Sequence, residues 1–280
     1  MESAATQAPP EPPELPEGAE AAPRWPAWYA AAAFLVGVFA TFMAVGVVAA
    51  VTGTTSGNES PAFTIIATLL QGAIFAGTAV LFASFTDRPR PWHFGLRRTR
   101  LWPAVGWAAL GILSFYVFAA AYSAVLHPDA KQSITESLGA DEGVVGLIAA
   151  GVMVIAVAPA AEEFFFRGFF YRALRSRFRV IPAALIDGTL FGVIHYDFSG
   201  ADLLLILPPL AVLGFVFCLV YEQTGSIYPT IALHSLNNAI AYGVQADAWG
   251  VSLVVGPLVL AACMFVPRLL GPPPRAAPAV

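Results

Sequence analysis

Glu162 and Glu163 follow a stretch, Gly143 to Ala161, that contains no ionisable side chain, and Arg167 comes one helical turn later. An apolar run of that length reads as bilayer-embedded, where each charged group costs about 2.5–3.5 kcal/mol to insert. Three together cost on the order of 8 kcal/mol before any pairing, which calls for a function. Two further apolar runs carry His195 and, four residues apart, His234 and Asn238. A carboxylate, two imidazoles and an amide are the groups needed to hydrolyse an acyl bond with water. A partly desolvated Glu162 would serve as general base, helped by His195. His234 and Asn238 would donate hydrogen bonds to the oxyanion of a tetrahedral intermediate. The same residues support a second chemistry, in which Glu162, His195 and His234 hold a divalent metal such as zinc with water in the fourth position. These residue types leave both chemistries open. The HExxH and GxSxG signatures are absent.

Helical spacing sorts the charges. Glu163 and Arg167 are four apart and can pair along one face. Glu162 is turned about 100° from Glu163, free to face a cavity while the Glu163–Arg167 pair holds the helix in place. His234 and Asn238 share a face, with Asn237 as a competitor one position away. Asp187, eight residues before His195 and roughly on its face, would pair with an arginine or orient a histidine.

The elements that position these groups are those of an all-α polytopic membrane protein. Apolar residues make up 58% of the 280, charged residues 11%, and mean hydropathy is +0.72. A soluble domain carries about 25% charged residues. Apolar runs at about 27–52, 62–85, 102–126 and 144–166, then about 181–197, 203–221, 226–244 and 249–267, predict about eight transmembrane helices around an intramembrane polar cavity. Period-2 alternation is missing, which argues against a β-barrel. Cys218 and Cys263 lie in apolar runs and read as buried small hydrophobes. Trp25, Trp28, Trp92, Trp102 and Trp249 stand near span ends, where interfacial belts place them.

The proline- and acid-rich residues 1–24 read as a disordered cytoplasmic tail without the features of a cleaved signal. The chain then divides into helices 1–3 with their loops (25–143), a catalytic transmembrane segment (144–245), and a last helix with a short tail (246–280). Arginines collect in alternate loops, at Arg88, Arg90, Arg97, Arg98 and Arg100, at Arg172 to Arg179, and at Arg268 and Arg275. By the positive-inside rule both termini lie in the cytoplasm of a cell-membrane protein. Acids collect on the opposite side, at Asp129, Glu136, Asp141, Glu142, Asp197, Asp202 and Asp247; the lone lysine, Lys131, is there too. At 1.5 Å per residue, Glu162 lies about 20 Å, His195 about 21 Å, His234 about 12 Å and Asn238 about 18 Å from the cytoplasmic ends of their helices, so all four can converge. Arg172, Arg175, Arg177 and Arg179 predict an amphipathic surface segment that attracts anionic lipid. The arginine-rich segment 86–100 predicts a cytoplasmic interfacial linker and no nucleic-acid site.

The runs Glu162-Glu163-x-x-x-Arg167, Phe191-x-x-x-His195 and His234-x-x-x-Asn238, in that order and each in a predicted span, resemble the three motifs of the CPBP family. This is the CAAX-prenyl-protease and bacteriocin-processing family of intramembrane endopeptidases, also called Abi. The resemblance covers about 145–243, and its motif selects Asn238 over Asn237. It implies an all-helical membrane fold with a conical cavity open toward the cytoplasm and the bilayer. It further implies that Glu162 and His195 activate water, and that His234 and Asn238 stabilise the oxyanion. The expected activity is cleavage of a membrane-associated or lipidated peptide near the cytoplasmic face. A non-catalytic scaffold or immunity protein that keeps the cavity for binding is the alternative of another class. A proton-relaying transporter ranks third, because no inverted repeat is evident.

Overall fold

The computed structural model describes residues 25–55, 57–126, 134–195, 205 and 207–269. The tail 1–24 lies outside the described residues, as do Arg24, Asp129, Lys131, Asp197, Asp202 and Arg275. Eight helices carry the fold: α1 Trp28–Thr52, α2 Pro61–Ser84, α3 Leu101–Leu126, α4 Val144–Arg175, α5 Val180–Val193, α6 Leu207–Thr224, α7 Tyr228–Gln245 and α8 Trp249–Leu269. A 3-10 turn, Pro91–Phe94, joins α2 to α3, and a short turn of helix, Ile134–Ser137, precedes α4. No strand occurs among the described residues. Helices α1, α2, α3, α4, α6 and α8 are long and apolar enough to cross a membrane, and α5 is a shorter apolar helix. Their outer faces expose Leu35, Phe39, Phe42, Leu113, Val145 and Leu258. Such faces are at home against lipid tails, which are as apolar as leucine. The protein is a multi-pass membrane protein.

One boundary differs from expectation, that of α5. Helix α4 runs to Arg175, the end from which the depth of Glu162 is counted, because Phe165, Phe166, Phe169 and Phe170 are buried in an aromatic core and keep the chain packed. Helix α5 stops at Val193, so His195 sits in the turn beyond its end. That aromatic core occupies the end of the bundle where α4 and α6 finish; a smaller core of Leu138, Ala150, Met153, Ile155, Ala239 and Tyr242 occupies the other.

Helices α5 and α6 pack backbone to backbone. A Cβ on Gly188 would lie 2.6 Å from Phe215 N, and one on Gly214 would lie 2.9 Å from the Gly188 Cα. Only residues without a side chain permit this approach. Gly188→Ala is expected to push the two helices apart and destabilise the protein by about 1–3 kcal/mol. A thermal unfolding midpoint in detergent equal to that of the wild type would contradict the close packing.

The linker between α2 and α3 is a docked plug rather than a surface segment. Phe94 stacks on Phe164 at 4.9 Å, and Trp25 wedges between Phe94 (5.2 Å) and Phe169 (5.0 Å). Trp25 is therefore core, 1% exposed, and does not sit in an interfacial belt. Ile227 donates its N–H to Gly95 O, Ser226 Oγ donates to Arg97 O, and Arg97 Nε donates to Gly225 O. Gly95 itself needs a left-handed backbone (φ 76°), and a Cβ there would strike the Tyr221 ring. His93, in this plug, is pushed down to about 4 by burial and then by the charge of Arg172. It therefore stays uncharged among arginines at neutral pH.

Arg172 and Arg175 do not face lipid headgroups: each is 4% exposed. Their unforeseen partners are on α6. Arg175 grips Glu222 with Nη2–Oε1 at 2.7 Å and Nε–Oε2 at 3.0 Å, and Tyr171 OH donates to the same Oε2 at 2.9 Å. Arg172 Nη1 donates to Tyr221 OH at 2.8 Å. Only Arg177 and Arg179 of the expected surface segment are exposed. Arg175→Ala would leave the buried Glu222 carboxylate short of two charge-assisted bonds, a loss of about 2–3 kcal/mol. Thermal unfolding in detergent measures it; a variant as stable as wild type would show that water replaces the arginine.

Candidate active site

Helix α4 is built to hold charge at mid-depth. Its middle, Ala158 to Phe165, lies between two π-helical turns, Met153–Val157 and Phe166–Phe170. Single π-turns inside α-helices are frequent at functional sites. The first has a clear cause. Ala158 donates its N–H to Met153 O, five residues back, and Pro159, next in line for Val154 O, has no N–H to give. Asn238 Nδ2 takes up that Val154 carbonyl at 2.9 Å. A backbone irregularity in α4 thus fixes the amide of α7.

Arg167 is the hub. Its Nη1 meets Glu163 Oε1 at 2.9 Å, its Nη2 donates to Gly214 O at 2.9 Å, and Asp187 Oδ1 stands 3.7 Å from Nη2. The rings of Phe191 and Phe217 lie 4.6 and 4.9 Å from the guanidinium carbon, a double cation–π contact. Glu163, Arg167 and Asp187 are all fully buried. Asp187 pairs with the arginine and accepts the Cys218 thiol at 3.1 Å; the histidines are held by other groups. Glu163 Oε1 also meets His234 Nδ1 at 3.0 Å. Arg167 therefore fixes Glu163, and Glu163 fixes His234.

Glu162 points the other way, into a cavity of about 560 Å³. Its Oε2 lies 3.8 Å from His195 Nε2 and 3.8 Å from His234 Nε2. That oxygen is buried and has no hydrogen-bond partner. The histidines arrive oriented. His195 Nδ1 is 2.7 Å from Phe191 O; a carbonyl only accepts, so Nδ1 carries the hydrogen and neutral Nε2 presents its lone pair. Asn237 and Asn238 also line the cavity, the first donating from Nδ2 to Asn238 Oδ1 at 3.3 Å and accepting from Tyr116 OH at 3.3 Å. Of the residues singled out in the sequence, Glu162, His195, His234 and Asn238 meet at the cavity. Glu163 and Arg167 support them from behind.

Sequence reasoning missed several contributors. Thr68 and Gln71 of α2 line the cavity, and a Thr-x-x-Gln pair inside an apolar span was the available signal. The roles of Val154 O, Tyr116, Gly214 O and Cys218 arise from contacts between distant segments and leave no local trace.

Donors bound to tetrahedral zinc at about 2.0–2.2 Å stand about 3.4 Å apart. Glu162 Oε2 is 3.8 Å from both imidazole nitrogens, and no group of three or more His, Cys, Asp or Glu is placed to hold a metal ion among the described residues. At these separations the three residues do not fit a tetrahedral zinc.

Residues 144–240 match the family model described as Type II CAAX prenyl endopeptidase Rce1-like. This segment is therefore similar to the CAAX-type endopeptidase family. The match encloses α4 to the middle of α7 and with it every residue of the Glu162 cluster; α1–α3 and α8 fall outside it. Uncharacterized protein YyaK of Bacillus subtilis (strain 168) is 31% identical over 124 residues, 41% of this chain. The chain spans only 38% of that relative's length. No solved structure matches.

Proposed function

We propose that the protein is an intramembrane endopeptidase of the cell membrane, with both termini in the cytoplasm, that hydrolyses a peptide bond in a membrane-associated substrate by activated water. One observation carries this reading: a buried, unpartnered carboxylate oxygen aimed between two imidazole nitrogens at the edge of a cavity. Leaving such a group unpaired costs about 1–3 kcal/mol or more, a cost that structure alone does not explain. Separations of 3.8 Å are too long for direct bonds and leave room for one water held by both carboxylate and imidazole.

In this mechanism Glu162 accepts a proton from the water while the lone pair of His195 Nε2 accepts the other hydrogen and aims the oxygen. The water oxygen adds to the substrate carbonyl carbon. His234 donates from Nε2 to the resulting oxyanion, its Nδ1 held by Glu163. Asn238 donates the Nδ2 hydrogen not used on Val154, so the oxyanion has two fixed donors. Glu162 then returns its proton to the leaving nitrogen and the C–N bond breaks. Glu163, Arg167 and Asp187 are positioning residues. The catalytic work is assigned to 144–245.

Quantitative profiling of peptide termini in host membranes, wild type against Glu162→Gln at matched expression, tests the reading. New termini present only with the wild type are expected. Identical profiles, with the variant supporting the same cellular phenotype, would sink it and leave a binding role.

A further inference from the structure

The cavity has a direction. On α2 it is lined from Phe75 back to Thr68, on α4 from Phe166 back to Met153, and on α7 from His234 forward to Gln245. All three stretches run from the Glu162 cluster toward the same end of the bundle, the one bearing the Ile134–Ser137 turn, whose Ile134 and Thr135 also line it. At the opposite end the lining side chains Phe75, Phe165, Phe166, Phe191 and Leu213 are all buried, with the docked plug and the Arg175–Glu222 network behind them, whereas Ile134 and Gln245 line the cavity at the other end and are exposed.

Charge labels the two ends. Among the described residues the closed end carries ten arginines, Arg88 to Arg100, Arg172 to Arg179 and Arg268, against two acids, Asp87 and Glu222. The open-running end carries Glu59, Glu136, Asp141, Glu142 and Asp247 and no described lysine or arginine. The positive-inside bias puts the arginine end in the cytoplasm.

We infer that the active site is entered from the extracytoplasmic side, so that its substrates are short extended segments of membrane-anchored or exported polypeptides on that face. The inference rests on the endopeptidase reading for the word substrate, but the direction of access stands apart from it. It reverses the cytoplasmic opening that the family resemblance implies. About 560 Å³ suits a few residues of unfolded chain, within the range of small-ligand cavities. A CAAX-type lipidated C-terminus presented from the cytoplasm would meet the closed end.

The test is site-directed thiol labelling of the full chain with a membrane-impermeant, trimethylammonium-bearing methanethiosulfonate. Ala241→Cys reports the cavity wall, Gln245→Cys its rim, and Arg177→Cys the arginine end, all placed in a Cys263→Ser background because Cys263 is partly exposed; that background, with Cys218 buried, is the blank. In intact cells Ala241→Cys and Gln245→Cys are expected to react and Arg177→Cys to stay unlabelled, with Arg177→Cys reacting in inside-out vesicles. Reaction of Ala241→Cys only from the side that labels Arg177→Cys, or from neither side, overturns the inference; so does an interchange of the Gln245→Cys and Arg177→Cys sides. Repeating the labelling in Glu162→Gln separates access from catalysis. Correct labelling with no new peptide termini defeats the protease reading alone, and new termini with reversed labelling defeat only the direction.

Discussion

Glu162→Gln is expected to lower peptide-bond hydrolysis by about 10²–10⁴-fold, the usual contribution of a positioned general base. That is about 2.7–5.4 kcal/mol of barrier at 1.36 kcal/mol per decade. The substitution keeps the shape of the side chain and removes only its ability to take a proton. Stability should move the opposite way. Glu162 Oε2 makes no hydrogen bond and stands in a buried position, so the charge burdens the fold and a neutral amide relieves it. A small rise in unfolding temperature alongside the loss of turnover is the pattern expected of a strained functional residue. Asn238→Ala should cost about 10²–10³-fold, the range for one oxyanion donor, and should also loosen α4 because Val154 O loses its donor. Turnover by purified protein in detergent, with unfolding curves on the same samples, checks both. Full activity in Glu162→Gln would move the base elsewhere and end the mechanism.

How far the chain announces this site depends on how local each interaction is. The Glu163–Arg167 pair is four residues long and was readable from spacing, as was the division that sends Glu162 to the other face. The common depth of Glu162, His195, His234 and Asn238 followed from helix rise alone, and the four do share one cavity. His195 lies just past α5, not within it, because that helix is only 14 residues long. What escaped was non-local. Arg172 and Arg175 look like surface residues until Glu222, 47 residues after Arg175, closes on them. Trp25 looks interfacial until Phe94 and Phe169 enclose it. Ridge-to-ridge contacts of this kind are set by how eight helices tilt and pack, which no single helix records.

The second large effect is on the fold. Arg167→Met is expected to destabilise the protein by about 3–5 kcal/mol, enough to abolish recovery of monodisperse material from membranes. The cation satisfies two carboxylates at once, Glu163 at 2.9 Å and Asp187 at 3.7 Å, with all three side chains fully buried. Methionine fills the space between Phe191 and Phe217 but leaves Glu163 with His234 and Asp187 with the Cys218 thiol, both acids buried without their cation, which is the costly way to break such a cluster. Arg167→Lys restores the charge but not the fork, because one ammonium does not reproduce the bonds to both Glu163 and the Gly214 carbonyl. It should recover part of the stability, and its turnover should remain low because Glu163 no longer holds His234 in register. Adding Glu163→Gln to Arg167→Met removes one orphan charge and should return part of the lost stability, a non-additivity that a purely steric role would not produce. Unfolding temperatures for the wild type, Arg167→Met, Glu163→Gln and the double variant close the cycle. If Arg167→Met melts with the wild type, the buried network carries neither the fold nor the orientation of His234.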